Sequence, residues 1–242
     1  EAETFNVDST LYEYYQRCQE CLLEPVVLNM SDTLFRMAGE RQDERMQAVA
    51  IATQLDYYYF QGTNEDSVIH YTNKVKEFAK ATHQPKYYYF AWANRLITYY
   101  LKTSRTNIAL YEVQNMLKEA QEEDDKTGLS RCYNIMSQIY TIKRFDSMAF
   151  EWRLKEIELT EKYKIENYNI SQTYAQIANY YINQKKQKEA LAAVEKAIAT
   201  ANSSTQQISA KLEFVNYYSK FGDFQAAEKL LKECQTAFEQ DK

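Results

Sequence analysis

Glycine and proline are scarce in this sequence. Its 242 residues include four glycines and two prolines, well below the usual share of either. A β-sheet protein of this length would need many more of these residues in its turns. The shortage therefore argues against a sheet-rich fold and predicts an all-α protein.

No broad basic region occurs either. The 29 basic and 34 acidic residues give a formal net charge of −5, and the two signs are interspersed. Two short charged runs, at 119–125 and 185–188, fall at predicted helix ends, where charged residues are usually exposed. Because neutralising phosphates requires a basic face, we expect no nucleic acid partner for this segment.

Long apolar runs are also missing. None approaches the ~18 residues that a membrane-spanning helix requires, and residues 1–10 lack the charged-then-apolar pattern of a leader. We expect no membrane contact within this segment, with any anchor outside it. The first residue is Glu1 rather than methionine, which suggests a trimmed segment or a processed export product.

Residues for metal or covalent chemistry are few. The pair Cys18 and Cys21 has CxxC spacing, but it lies inside a predicted helix, whereas redox pairs begin a helix beside a strand. A zinc site would need two more ligands, and the two histidines, His70 and His83, offer no matching pattern. Phosphate-binding loops and nucleophile elbows are absent. We expect no catalytic residue, no metal and no cofactor, and hence no enzyme.

The pattern of apolar residues is clearest in 171–202. Its first half has apolar residues at i, i+3, i+4 and i+7, and its second half repeats that helical period. The polar segment 183–188 between them is too short for a long loop, so the two helices are predicted to form an antiparallel hairpin. The residues that define the pattern are Tyr174, Ile177, Ala178, Tyr181, Ala190, Val194 and Ala197.

These residues resemble the tetratricopeptide repeat, in which they would occupy positions 4, 7, 8, 11, 20, 24 and 27. The pattern recurs about every 40 residues along the chain. The tyrosines of the repeat are Tyr59, Tyr100, Tyr140, Tyr181 and Tyr218. The small residues nine positions later are Val68, Ala109, Ala149, Ala190 and Ala227. The apolar residues four positions earlier are Leu55, Leu96, Met136, Ile177 and Phe214. Polar residues at Thr72, Arg153 and Glu156 break the second-helix pattern. In the fourth hairpin Leu154 and Ile157 follow one residue later, so we expect a small phase slip in its second helix.

The resemblance implies a right-handed superhelical solenoid of about six antiparallel helical hairpins. We expect one domain over 1–242. The hairpins are predicted at 9–37, 40–82, 86–123, 129–163, 168–202 and 205–238.

In the family, positions 2, 5, 6 and 9 of the repeat face the concave side. This implies a groove rich in side-chain amides, which can pair with a peptide backbone by donating and accepting at once. The implied partner-binding residues are Gln54, Tyr57, Asn94, Arg95, Arg131, Asn134, Gln138, Gln172, Gln176, Asn179, Glu213 and Asn216. The alternative is that these are solvated helix faces. The lysines with which related proteins hold acidic chaperone tails are missing.

We therefore predict a non-catalytic module that binds a peptide or protein partner. The tyrosine-rich, glycine-poor repeats are also similar in style to the exported sensor regions of Bacteroidetes membrane regulators, which precede a membrane helix and a histidine kinase or DNA-binding domain. That similarity implies a periplasmic input domain of a two-component system. One alternative is a free-standing intracellular scaffold. A third, an enzyme, would have its site near Tyr57, Arg95 and Arg131.

Overall fold

The computed structural model describes residues 8–240. Over that range the chain is helical, without a strand, and its helices follow one another as pairs joined by short connections. The first three pairs are α1 (Ser9–Glu20) with α2 (Val26–Glu40), α3 (Glu44–Gln61) with α4 (Glu65–Ala81), and α5 (Pro85–Tyr89, Phe90–Ile97 and Thr98–Lys102) with α6 (Thr106–Glu122). The last three are α7 (Lys126–Ile142) with α8 (Asp146–Tyr163), α9 (Ile170–Asn183) with α10 (Gln187–Ala199), and α11 (Ser204–Phe221) with α12 (Phe224–Gln240). The prediction of an all-α fold made of about six antiparallel hairpins is confirmed.

The chain forms two compact units, residues 1–135 and residues 136–242, called here the N-terminal and C-terminal units. Within each, the first helix of a hairpin packs on its own second helix and on the first helix of the next hairpin, as α3 does on α4 and α5. In the C-terminal unit, α9 contacts α10 and α11 in the same way. The single domain expected from the sequence stays a prediction.

The connections explain how the chain turns with so little glycine. Gln42, His83 and Ser104 each follow a helix with a positive φ, at 57°, 55° and 61°. The next residue closes the turn by donating its backbone N–H to the carbonyl five residues earlier, as Arg105 does to Tyr100 at 2.8 Å. This pattern caps a helix C-terminus and is usually built around glycine. Here polar residues adopt the left-handed backbone conformation in place of glycine.

The repeat pattern marks the core. The small residues that follow the tyrosines, from Val68 to Ala227, are all buried, with at most 6% of any side chain exposed. The burial of the repeat tyrosines is less uniform. Tyr59 and Tyr100 are buried, whereas Tyr140, Tyr181 and Tyr218 are half-buried.

The predicted phase slip in α8 is wrong for Arg153 and Glu156, which lie in the buried positions that the repeat assigns to them, while Leu154 is 39% exposed. Ile157 is buried as the slip implied, at 8% exposed, so Glu156 and Ile157 are both covered. The first helix of the next hairpin supplies partners for Arg153 and Glu156. Arg153 Nε donates to Gln176 Oε1 at 2.7 Å, and Thr173 Oγ1 donates to Glu156 at 3.3 Å. Thr72 in α4 is likewise buried at the position that the repeat assigns to it.

Candidate functional site

The twelve residues predicted to bind a partner fall into two sets, all on first helices of hairpins. The N-terminal unit holds Gln54, Tyr57, Asn94, Arg95, Arg131 and Asn134. The C-terminal unit holds Gln138, Gln172, Gln176, Asn179, Glu213 and Asn216.

Gln54 does not lie on the open face for which it was predicted. It is 4% exposed and is held between second helices: its Nε2 donates to Asp32 Oδ1 of α2 at 2.6 Å, and its Oε1 accepts from Lys74 Nζ of α4 at 3.5 Å. A partner on the first-helix side would not reach it. Tyr57 is half-buried and packs against the core of α1 and α2.

A pocket of about 150 Å³ opens among the first helices of the N-terminal unit, and we call it the Arg131 pocket. Its walls come from α1, α3, α5 and α7. The apolar and aromatic lining residues are Tyr15, Val49, Ala52, Tyr87 and Phe90, and the polar ones are Thr53, Asp56, Lys86 and Arg131. Ligand pockets of proteins commonly combine an apolar wall with a few convergent polar groups in this manner.

Arg131 is the most unusual residue of this pocket. Its Nη1 donates to Asn94 Oδ1 at 2.6 Å, so that two predicted site residues orient each other. Its Nε is buried and has no hydrogen-bond partner in the described chain. Burial lowers the pKa of Arg131 from its ordinary value, and no neighbouring carboxylate counters that effect. The guanidinium therefore has hydrogen-bonding capacity that the protein leaves unused.

Arg95 has a different environment. Its Nε donates to Asp56 Oδ1 at 2.5 Å, and both side chains of this ion pair are largely buried. The guanidinium carbon also lies 4.5 Å from the ring centroid of Phe90 and 4.9 Å from that of Tyr59, within cation–π range. Arg95 thus neutralises the carboxylate that lines the pocket and fixes the position of Phe90.

A π-helical segment places these residues. In α5 the residues Phe90–Ile97 form a π-helix, and the N–H of Thr98 donates to the carbonyl of Ala93, five residues earlier. This wider turn shifts the side-chain positions on either side of it. Tyr87 and Phe90 line the pocket, Asn94 accepts a hydrogen bond from Arg131 of α7, and Arg95 pairs with Asp56 of α3. Such π segments occur often at functional sites.

Two tyrosines provide hydroxyl groups at the pocket. Burial raises the pKa of Tyr15 and of Tyr87 above the ordinary value, so both remain protonated at neutral pH. A protonated hydroxyl can donate to an acceptor or accept from a peptide N–H. The formal charges at the pocket are those of Arg131 and Lys86 and of the Asp56 carboxylate, which Arg95 pairs. The site therefore favours a ligand with an anionic group.

In the C-terminal unit three of the predicted amides bond to charged side chains of the protein. Asn179 and Asn216 both donate to Glu213 Oε1, at 3.1 Å and 2.9 Å, which links α9 to α11. Gln176 accepts from the buried Arg153. Gln138 and Gln172 are exposed, and Asn134 of the N-terminal unit is half-buried. Several of these amides therefore tie neighbouring helices together.

The structure offers little for catalysis or metal binding. Among residues 8–240 no group of three or more His, Cys, Asp or Glu side chains could hold a metal ion. Burial raises the pKa of the Cys18 thiol to about 11 and that of Cys132 to about 12, which disfavours the reactive thiolate. None of the described helices has the length and apolarity needed to cross a bilayer.

Several pocket residues escaped the sequence analysis. Tyr87 and Phe90 belong to the aromatic run 87–90, whose positions in the repeat do not indicate a site. Asp56 occupies the repeat position where Ala178 packs in α9. The sequence did contain a signal for Asp56, because an acidic side chain at a position that normally holds a small residue requires a partner such as Arg95. The positions of Lys86 and Tyr15 gave no such signal.

Comparison with known proteins agrees with this architecture. Residues 171–203 match the family model described as tetratricopeptide repeat. The fold is tetratricopeptide-like. The crystal structure of BtubC from P. vanneervenii has 13% identity and a TM-score of 0.68, covering 96% of this chain and 92% of that one. No curated protein matches the chain.

Two further solved structures are similar. The apo form of RapI has 13% identity and a TM-score of 0.54, over 96% of this chain and 99% of that one. NprR, solved in complex with its cognate peptide NprX, has 19% identity and a TM-score of 0.57, and the likeness covers 93% of this chain and 65% of NprR. At these identities the likeness shows the fold alone.

Proposed function

We propose that this protein is a non-catalytic module that binds a peptide or an extended segment of a protein at the Arg131 pocket. One observation carries the proposal: apolar and aromatic walls enclose a pocket lined by the Arg131 guanidinium, which bonds to the neutral Asn94 amide and has no carboxylate partner among the described residues. The pocket therefore presents a positive charge beside an apolar surface, which suits a polar group and a side chain of a peptide. Tyr15, Tyr87 and Thr53 add hydroxyl groups suited to a peptide backbone.

The fold supports this proposal without deciding it. Stacked helical hairpins present an extended surface made of successive first helices, and peptides commonly occupy such surfaces in repeat proteins. NprR, a structure of similar fold, was solved with a bound peptide. The apolar wall of the pocket is suited to anchoring one side chain while the backbone continues along the helices.

The direct test is affinity selection with the whole chain. We expect the wild-type protein to enrich peptides from a random library, and Tyr87→Ala to weaken the selected peptides by about tenfold, the loss of one well-packed anchor contact. Tyr111→Ala is the matched control, because Tyr111 is 62% exposed on α6 and does not line the pocket. Circular dichroism would verify that both variants fold. If no peptide were enriched, or if both variants bound equally well, the proposal would be wrong.

We further propose that the module is the extracytoplasmic input domain of a membrane-bound regulator of the two-component histidine kinase type. The tyrosine-rich, glycine-poor repeats support this proposal through their similarity to such regions. The intact gene tests it: a leader upstream of Glu1 and an apolar span with a kinase or DNA-binding domain downstream of Lys242 are expected. A reading frame that contains neither would instead favour the free-standing intracellular scaffold.

A further inference from the structure

We infer that three exposed apolar residues along α12, Phe224, Leu231 and Phe238, called here the α12 stripe, bind the same stripe of a second copy of this chain. The two α12 helices pair antiparallel about a two-fold axis at Leu231. The stripe lies in the C-terminal unit and does not line the Arg131 pocket. The inference is therefore independent of whether that pocket binds a peptide.

The α12 stripe is a continuous apolar surface. Phe224, Leu231 and Phe238 are 70%, 39% and 58% exposed. Seven residues are close to two helical turns, so the equal spacing of these side chains places them on one face of the helix. Ala227 and Cys234 lie between them in sequence and are buried, and α12 packs on α11. The helix thus has one apolar side that is covered and one that is open.

Earlier second helices bury the residue that corresponds to Leu231, four positions after the small residue of the repeat. These counterparts are at most 8% exposed, and they are Thr72, Val113, Arg153 and Val194. In α10 the next hairpin provides the cover, because Val194 packs in one core with Ala210 and Tyr217 of α11. Leu231 has no such cover among residues 8–240. It leaves open a position that the rest of the stack uses for packing.

The size of Phe238 argues against a further hairpin of the same kind as the cover. In α4, α6 and α8 its counterparts are small and at most 9% exposed, and they are Ala79, Ala120 and Thr160. Close approach of a following first helix requires small side chains there. Val215 of α11 likewise replaces the fully buried Ala178 of α9 and is only half-buried. The α12 stripe is therefore suited to a partner that approaches in another geometry.

The stripe is complementary to itself. Phe224 and Phe238 each lie seven residues from Leu231, on opposite sides of it. Antiparallel pairing about Leu231 places the two Leu231 side chains together and sets Phe224 of each copy against Phe238 of the other. A two-fold dimer requires this reciprocal contact. The adjacent charges do not oppose it, because Glu228 and Lys232 already form an ion pair at 2.7 Å and neither would be buried alone.

The area that α11 and α12 offer reaches the lower limit of a specific interface. The two helices have 18 and 17 residues, and each is therefore about 25 Å long. Side by side, at about 10 Å each, they present roughly 500 Å² per copy and roughly 1,000 Å² in a dimer. We therefore expect a reversible dimer with a micromolar dissociation constant.

Sedimentation equilibrium of the full chain over a range of concentrations measures this dimer. Leu231→Lys should weaken association by about 30-fold or more, as for the loss of a central anchor residue. Leu154→Lys is the matched control and should leave association unchanged. Leu154 is also 39% exposed, and it also lies on a second helix of the C-terminal unit. Circular dichroism would verify that both variants fold, as expected for substitutions at exposed positions.

Three results would overturn the inference. They are a wild-type chain that stays monomeric, a dimer that Leu231→Lys leaves intact, and equal weakening by Leu231→Lys and Leu154→Lys. In the last two cases the contact between copies would lie elsewhere on the chain.

Two double variants test the antiparallel arrangement. Phe224→Lys with Phe238→Glu brings opposite charges together across the two-fold axis, whereas Phe224→Lys with Phe238→Lys brings like charges together. We expect the first variant to associate about tenfold more tightly or better, with a smaller difference at high salt because exposed charges are screened. Equally weak association of the two variants would show that the helices do not pair in this way.

Discussion

At the scale of single residues, buried charge is handled in two ways in this protein. Arg153 and Glu156 in α8 stand where α10 has Val194 and Ala197, yet all four are buried. The charged pair is tolerated because its polar atoms are bonded: Arg153 Nη2 donates to Thr141 Oγ1 at 2.7 Å, and Asn167 Nδ2 donates to Glu156 Oε1 at 2.8 Å. Arg131 lacks that completion. The Arg153 and Glu156 network is therefore structural, whereas Arg131 lines a pocket and presents its charge there.

Two isoleucines of one helix give a matched test of the core. Ile139 is fully buried in α7, and Ile142, one turn later, is 53% exposed. We expect Ile139→Ala to lower the free energy of unfolding by about 2–5 kcal/mol, through lost burial and a residual cavity. Ile142→Ala should change it by less than about 0.5 kcal/mol. Urea unfolding followed by circular dichroism measures both, and similar losses would mean that α7 is rotated from the orientation described here.

At the scale of helices, α5 is the element that the sequence predicted least well. Its hairpin was predicted at 86–123, but its π-helical middle was not predicted, because no residue pattern specifies where a helix admits an extra residue per turn. The consequence is functional. The π segment begins at Phe90, which lines the pocket, and contains Asn94, which bonds to Arg131.

The packing of α5 on α7 makes a testable close contact. A Cβ atom added at Gly128 would lie 2.5 Å from Cζ of Tyr89, a fully buried ring. We therefore expect Gly128→Ala to destabilise the protein by about 1–3 kcal/mol through overpacking, although alanine favours a helix. Urea unfolding would measure the change.

Gly39→Ala is the control for this substitution. Gly39 also lies in a helix, but a Cβ there would meet the flexible side-chain amide of Gln47, which can move aside. This variant should be neutral or gain up to about 1 kcal/mol from helix propensity. A Gly128→Ala variant as stable as Gly39→Ala would show that the Tyr89 ring does not pack against α7 as described.

At the scale of the whole molecule, periodicity predicted more of the fold than of the site. The small residues of the repeat are buried as expected, and so are its apolar residues except the half-buried Phe214, since packing between neighbouring hairpins requires them. The site depends on pairings between residues far apart in sequence, such as Arg131 with Asn94 and Arg95 with Asp56, and single-sequence periodicity does not encode these. Gln54 shows the limit: its repeat position implied an open face, but contacts with Asp32 and Lys74 bury it.

The repeat architecture also predicts how far a local defect spreads. In stacked repeats, stability is approximately a sum of repeat and nearest-neighbour terms. Ile182 of α9 is 1% exposed and packs in the core of the C-terminal unit with Ala190 of α10 and Tyr217 of α11. Ile182→Ala, at a cost of about 2–5 kcal/mol, should therefore loosen α9 and its contacting helices together.

Hydrogen exchange measured by mass spectrometry would follow this spread under native conditions. Protection in Ile182→Ala should fall in α9 and α10 and, to a smaller extent, in α8 and α11, because these helices share its core. Protection in α1 and α2, four hairpins earlier in the chain, should match the wild type. A uniform loss over all twelve helices would instead mean that the chain unfolds as one cooperative body. In that case a peptide bound at the Arg131 pocket would raise the hydrogen-exchange protection of α11 as much as that of α3. Protection of any helix would then report peptide binding.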